Sequence, residues 1–211
     1  EEIYDDLKDM IIGNMRIQTV GDPNLFDTDI GPIINDKAYK KLNSYISLCS
    51  GKGYKIHQPC ERVSDKHIAP TLIEINAISD IKEEQFGPIL HILKYSSNEI
   101  DELINQINKS EYGLTMGIHS RIEARANYMS SKSNIGNIYI NRDMVGAVVG
   151  SQPFGGIGLS GSGFKAGGPN YLLQFVNEKV VSKNSVAFGG NAELLNIQED
   201  LWLDSKKYQK K

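Results

Sequence analysis

Two cysteines in 211 residues, with no CxxC spacing, exclude a disulfide scaffold and point to a reducing compartment, so a cytoplasmic setting is expected. No apolar run approaches the roughly 18 residues that a membrane span needs, and no signal-peptide pattern opens the chain. A net charge of −3 gives no electrostatic reason to expect nucleic acid or an anionic membrane as a partner. The four histidines (His57, His67, His91 and His119) include no pair at metal-ligand spacing, so no metal is expected. The one tryptophan, Trp202, falls in a polar tail ending SKKYQKK, and no internal repeat is evident. What remains is ordinary globular composition, 40% hydrophobic and 23% charged, in a chain long enough to bury a substantial core.

Periodicity gives an alternation of helices and strands. Ile3, Leu7, Met10, Ile11 and Met15 mark one helical face. Ala38, Leu42, Tyr45, Ile46 and Cys49 mark a second, with Asn35 or Asp36 as its cap; Ile100, Leu103, Ile104 and Ile107 mark a third, preceded by Asn98. Strand-like runs fall at 54–57, 71–75, 88–95, 114–119 and 136–140. The fold class expected is α/β, a largely parallel sheet with flanking helices. Ligands of such sheets collect beyond the carboxyl ends of strands, so the segments after Ile75 and Ile140 are expected to hold the chemistry. After Tyr171 the pattern becomes an extended alternation, YLLQFVNEKVVSK, with no helix following.

Nine of the 24 residues from Gly146 to Pro169 are glycine, yet the stretch also carries Phe154, Phe164 and an Ala147-Val148-Val149 run. A flexible linker would lack the aromatics and valines. Glycine among apolar side chains implies a backbone that turns sharply and lies close to something. That something is most simply a ligand; the plainer alternative is a loop that only closes the fold.

Several motifs then stand in a telling order. TDIGPIIN (Thr28 to Asn35), EEQFGPIL (Glu83 to Leu90), GNIYINR (Gly136 to Arg142) and QPFGG (Gln152 to Gly156) resemble the aldehyde dehydrogenase superfamily in sequence and spacing. KAGGPNYL and the later AFGGNAELL narrow the resemblance to its proline-catabolic branch, the L-glutamate γ-semialdehyde (1-pyrroline-5-carboxylate) dehydrogenases. The likeness runs from about Glu1 to about Leu195.

The resemblance implies roles for individual residues. Glu84 corresponds to the glutamate that contacts the nicotinamide ribose of NAD, and a carboxylate suits that task because it accepts hydrogen bonds from both ribose hydroxyls. Phe86 would shape the nicotinamide site. The amides of Gly146 and Ala147 would hold the α-carboxylate of the substrate, as a nest of backbone N–H groups can without a charged side chain. Phe154 would form an apolar wall over the methylene chain and exclude water. Asn141 is read as a structural cap, and Arg142 receives no role.

Cys49, though followed by serine, falls on the apolar face of a helix with no GQ before it, and is read as a buried inert thiol. Cys60, in the polar HQPCER segment, is expected to be exposed and oxidisable, without a matched base. The KAGGP stretch fits neither GxGxxG nor a P-loop, and is assigned to backbone geometry.

In the superfamily the nucleophilic cysteine, the general base and the dinucleotide-binding half precede the region that this chain resembles. The chain is therefore expected to be a C-terminal portion: residues 1–170 from the catalytic domain, 171–190 an oligomerisation strand, 191–211 a polar tail. A homo-oligomer through that strand is expected, with L-glutamate γ-semialdehyde as substrate of the complete enzyme. Three readings stay open: a fragment of the dehydrogenase, a split-gene subunit that docks with a separate N-terminal half, or a non-catalytic remnant that mediates association.

Overall fold

The computed structural model describes residues 1–60, 64, 66–144, 147–184 and 187. The chain divides into two units after Tyr171.

The first unit is α/β. Helix α1 spans Tyr4–Arg16 and α2 spans Asp36–Gly51. The Asn35 side chain caps α2 by accepting a bond from the Ala38 N–H at 2.9 Å, satisfying one of the orphan donors of the first turn. Three short strands follow: β1 (Ile56–His57), β2 (Thr71–Ile75) and β3 (Ile89–Leu93). Strand β2 lies between the other two, antiparallel to β1 and parallel to β3. Its side chains are buried except Glu74, and Leu72 and Ile73 are fully so. The α2 face carrying Cys49 and Tyr45 packs on Ile73, Ile75, Ile89 and Leu93 to make one core.

A second core forms further along. Helix α3 (Ile100–Lys109), the two-residue β4 (Tyr112–Gly113), strand β5 (Thr115–Ile118), helix α4 (Glu123–Lys132) and strand β6 (Asn137–Ile140) follow in order. Strands β5 and β6 pair in parallel from Thr115↔Asn137 to Ile118↔Ile140. Ile104 of α3, Ile118 of β5, and Ala126 and Met129 of α4 close that core. Strand β7 (Ile157–Gly158) returns antiparallel to β4. The α/β class is as expected, but the sheet is not one parallel sheet: the described strands form three small sheets, two of them containing a parallel pair.

The expected C-terminal strand differs most. Tyr171–Phe175 forms a 3₁₀ turn, and residues 176–184 form no strand. A strand exists only where its N–H and C=O groups meet a partner edge, so an alternating pattern without such an edge remains unpaired. Leu172, Leu173, Phe175, Val176, Val180 and Val181 are accordingly exposed. The AFGGNAELL motif beyond Ala187 and Trp202 lie outside the described residues.

Candidate functional site

The two motif loops follow the carboxyl ends of β2 and β6 in sequence, but in space both return to the opposite ends. The chain leaves β2 at Ile75 and comes back so that the Thr71 N–H donates to the Pro88 carbonyl at 2.8 Å. Glu84 and Phe86 therefore sit just before the amino end of β3, beside the start of β2. The segment after Ile140 likewise returns to Asn137, the first residue of β6, whose side chain bonds Pro153 and Gly155. EEQFGP thus leads into the amino end of β3, and QPFGG lies beside the amino end of β6. These connections are long enough to cross back over their own strands.

The Glu84 loop is held at its flanks. Glu83 pairs with Lys41 of α2 at 2.9 Å. Gly87 approaches Leu42 so closely that an added Cβ would lie 2.6 Å from Leu42 Cδ1, which fixes why glycine stands there. Between these anchors Glu84 is exposed and Phe86 is 84% exposed. A carboxylate and an aromatic face are thus held up to solvent on an anchored loop, an arrangement able to accept ribose hydroxyls and lie against a flat ring.

Ala147 and Phe154 belong to a second neighbourhood. Ala147 is exposed, Gly146 lies outside the described residues, and Val148 pairs with Gln152 in a tight antiparallel bridge. Phe154 is half-buried and pairs with Ala166, each N–H donating to the other's carbonyl at 3.1 and 2.8 Å. A cavity of about 390 Å³ opens beside this loop, with Pro153, Phe164, Lys165 and Pro169 in its lining. Pro88, two residues after Phe86, bonds the start of β2, while Pro153 and Gly155, on either side of Phe154, bond Asn137 of β6.

The glycines of the loop approach the chain itself. An added Cβ at Gly155 would meet the Phe164 carbonyl oxygen, leaving a side chain no room. The close approach inferred from composition is, at this position, backbone against backbone, and the plainer reading of the stretch applies there.

Asn141 acts as the cap expected of it. It adopts φ +53°, a conformation asparagine tolerates better than most residues. Its side-chain amide donates to the Ser120 carbonyl and accepts from the Ser120 N–H, both at 2.9 Å, extending the β5–β6 pairing by one mock rung. Arg142 lies over the Tyr139 ring, 5.0 Å from its centroid, and donates to the Gln152 side chain at 2.9 Å, tying the end of β6 to QPFGG. Cys49 is 3% exposed within the first core. Cys60 is half-buried rather than exposed, and its thiol donates to the Met15 carbonyl at 2.7 Å. Among the described residues no helix is long and apolar enough to cross a membrane.

The model of the aldehyde dehydrogenase family matches residues 1–181. The chain belongs to that family. It is 41% identical over 196 residues to the bifunctional protein PutA of Klebsiella aerogenes, covering 89% of this chain and 15% of that protein. It is 34% identical over 188 residues to the 1-pyrroline-5-carboxylate dehydrogenase of Bacillus subtilis, covering 87% of this chain and 36% of that one. A crystal structure of a variant of the Bradyrhizobium japonicum proline utilization A protein superimposes with a TM-score of 0.80 at 38% identity, over 89% of this chain and 19% of that protein. The chain thus spans about a sixth to a third of the length of these relatives.

Proposed function

We propose that the chain is part of an NAD-dependent dehydrogenase that oxidises L-glutamate γ-semialdehyde, formed by opening of 1-pyrroline-5-carboxylate, to L-glutamate. The observation that carries this reading is the match of EEQFGP and QPFGG within a chain 41% identical to a PutA. The two motifs stand on anchored loops, with Phe86 and Glu84 open to solvent. These residues fit the nicotinamide-ribose end of NAD alone, and NAD supplies the hydride acceptor.

Each residue then has a task that binds or orients. Glu84 accepts the ribose hydroxyls and sets where the ring points. Phe86 lies along the ring. The amides of Gly146 and Ala147 receive the substrate carboxylate, and Phe154 covers the methylenes and keeps water from the reacting carbon. The covalent step needs a thiolate in contact with the aldehyde, and the hydrolytic step needs a general base. Cys49 is enclosed in the core, and the Cys60 thiol is held by Met15. The thiolate therefore comes from a further part of the enzyme, and the family resemblance implies the same of the general base.

A graft tests the reading. Residues 1–181 would replace the matching stretch of the Bacillus subtilis relative, and NADH formation would be followed with pyrroline-5-carboxylate and with an uncharged aldehyde of equal length. Turnover that prefers the carboxylate-bearing substrate at least tenfold is expected. A folded graft that turns over neither, or both equally, would overturn the assignment.

A further inference from the structure

Phe154 is held by an unusually complete set of backbone bonds. Starting from the preceding carbonyl, Pro153 C=O accepts from Asn137 Nδ2 at 3.0 Å. The Phe154 N–H and C=O both pair with Ala166. The Gly155 N–H donates to Asn137 Oδ1 at 3.1 Å, and the Gly155 C=O accepts from the Lys165 ammonium. Every backbone polar group from the Pro153 carbonyl to the Gly155 carbonyl is thus satisfied, and proline has no N–H to add.

Two side chains close this ring. The Asn137 amide straddles the aromatic residue, and its orientation is fixed by chemistry: the Pro153 carbonyl can only accept and the Gly155 N–H can only donate. Lys165 reaches Gly155 from the strand-like run opposite, and burial pushes its ammonium below the usual lysine value. Gly136, beside Asn137, is close-packed against both: a Cβ there would lie 2.8 Å from Lys165 Nζ and collide with the Gly155 carbonyl oxygen. The amino end of β6 is therefore the base of a clamp, and Phe154 is the residue clamped.

We propose that Asn137 and Lys165 are positioning residues that lock the peptide groups on both sides of Phe154, so that its Cα–Cβ bond is aimed in one direction before substrate arrives. The part about substrate rests on the reading of Phe154 as the aldehyde-side wall. A residue whose backbone is set in advance loses less conformational freedom on binding, which is the advantage of preorganisation.

The test is amide hydrogen exchange on the 211-residue chain, with the Phe154 Cβ proton signals as a second readout. Asn137→Ala should raise exchange at Phe154, Gly155 and Ala166 about tenfold and narrow the separation of the two Phe154 Cβ proton shifts. The Asn141 amide, bonded to the Ile118 carbonyl across β5–β6, should keep its protection. Lys165→Met should loosen the same amides, and Lys165→Arg should restore them. Unchanged exchange in Asn137→Ala, or an equal rise at Asn141 that marks general loss of stability, would overturn the proposal. No aldehyde or dinucleotide enters this measurement. Failure of the dehydrogenase reading would instead appear as a silent graft with the exchange pattern intact.

Discussion

At the scale of single residues, the side chains with the most partners lie away from the motif loops. Glu74 is the clearest. It points from the buried strand β2 to accept from Tyr4 at 3.1 Å and to meet His57 at 2.8 Å, with Lys8 at 3.6 Å. Burial pushes its carboxyl up, but the hydrogen bonds from His57 and Tyr4 and the Lys8 charge outweigh that and hold it below the usual value. A lowered folded value contributes stability that is complete above the unfolded value of about 4.3 and is lost as pH falls through the folded one. Glu74→Gln should therefore lower the melting temperature at neutral pH and flatten its fall below about pH 4. A thermal melt series in both proteins reads this, and parallel curves would contradict it. Roles for Glu84 and Phe154 were expected from the sequence because short motifs suggested them. Those of Asn137, Lys165 and Glu74 were not, because each depends on a partner 16 to 70 positions away or on a bond to backbone that leaves no pattern in the chain.

At the scale of elements, periodicity found those with one buried face. The α2 face and its Asn35 cap appear as read, since Leu42 and Cys49 lie inward. The third helix starts differently. Ser96, two residues ahead of Asn98, forms a reciprocal capping box with Glu99, adding a 3₁₀ turn before Ile100. Helix α4 gives no periodic signal because its ten residues, EARANYMSSK, include no Leu, Ile, Val or Phe; Ala126 and Met129 are its buried residues. The first predicted face is amphipathic in sequence, but of its residues only Met15 is buried, while Ile3, Leu7 and Met10 are exposed. Strand β2 is the opposite case, buried on both faces. Ile73→Ala, at a fully buried position, should cost about 3 kcal/mol, measured by urea denaturation with an unchanged m-value. A cost below about 1 kcal/mol would mean that the core around Cys49 collapses onto the gap.

At the scale of the whole molecule, the exposed apolar side chains carry the argument. Ile17, Phe26, Ile34, Phe86 and Val149 are all more than 70% exposed, as are Leu172 and Val180 beyond Tyr171. Isolated apolar residues on a surface need no explanation, but this many large ones imply surfaces that meet protein. The chain at tens of micromolar should therefore associate, and deleting everything after Pro169 should remove the specific dimers. Light scattering that shows a monodisperse 23.4 kDa species would contradict this. NAD should bind weakly for a related reason: in the proposed function Glu84 and Phe86 meet only the nicotinamide end, and the adenosine and pyrophosphate contribute much of the affinity. A low-micromolar dissociation constant by calorimetry would count against it.

In the proposed function this chain supplies contacts to cofactor and substrate but not the reacting groups. Its most direct test is NADH formation from pyrroline-5-carboxylate by the purified 211-residue chain, alone and with the N-terminal portion of the Bacillus subtilis relative added. No turnover is expected from either alone, and turnover is expected from the pair, falling at least tenfold with Phe154→Ala. Turnover by the chain alone that disappears in Cys49→Ala or Cys60→Ala would contradict it.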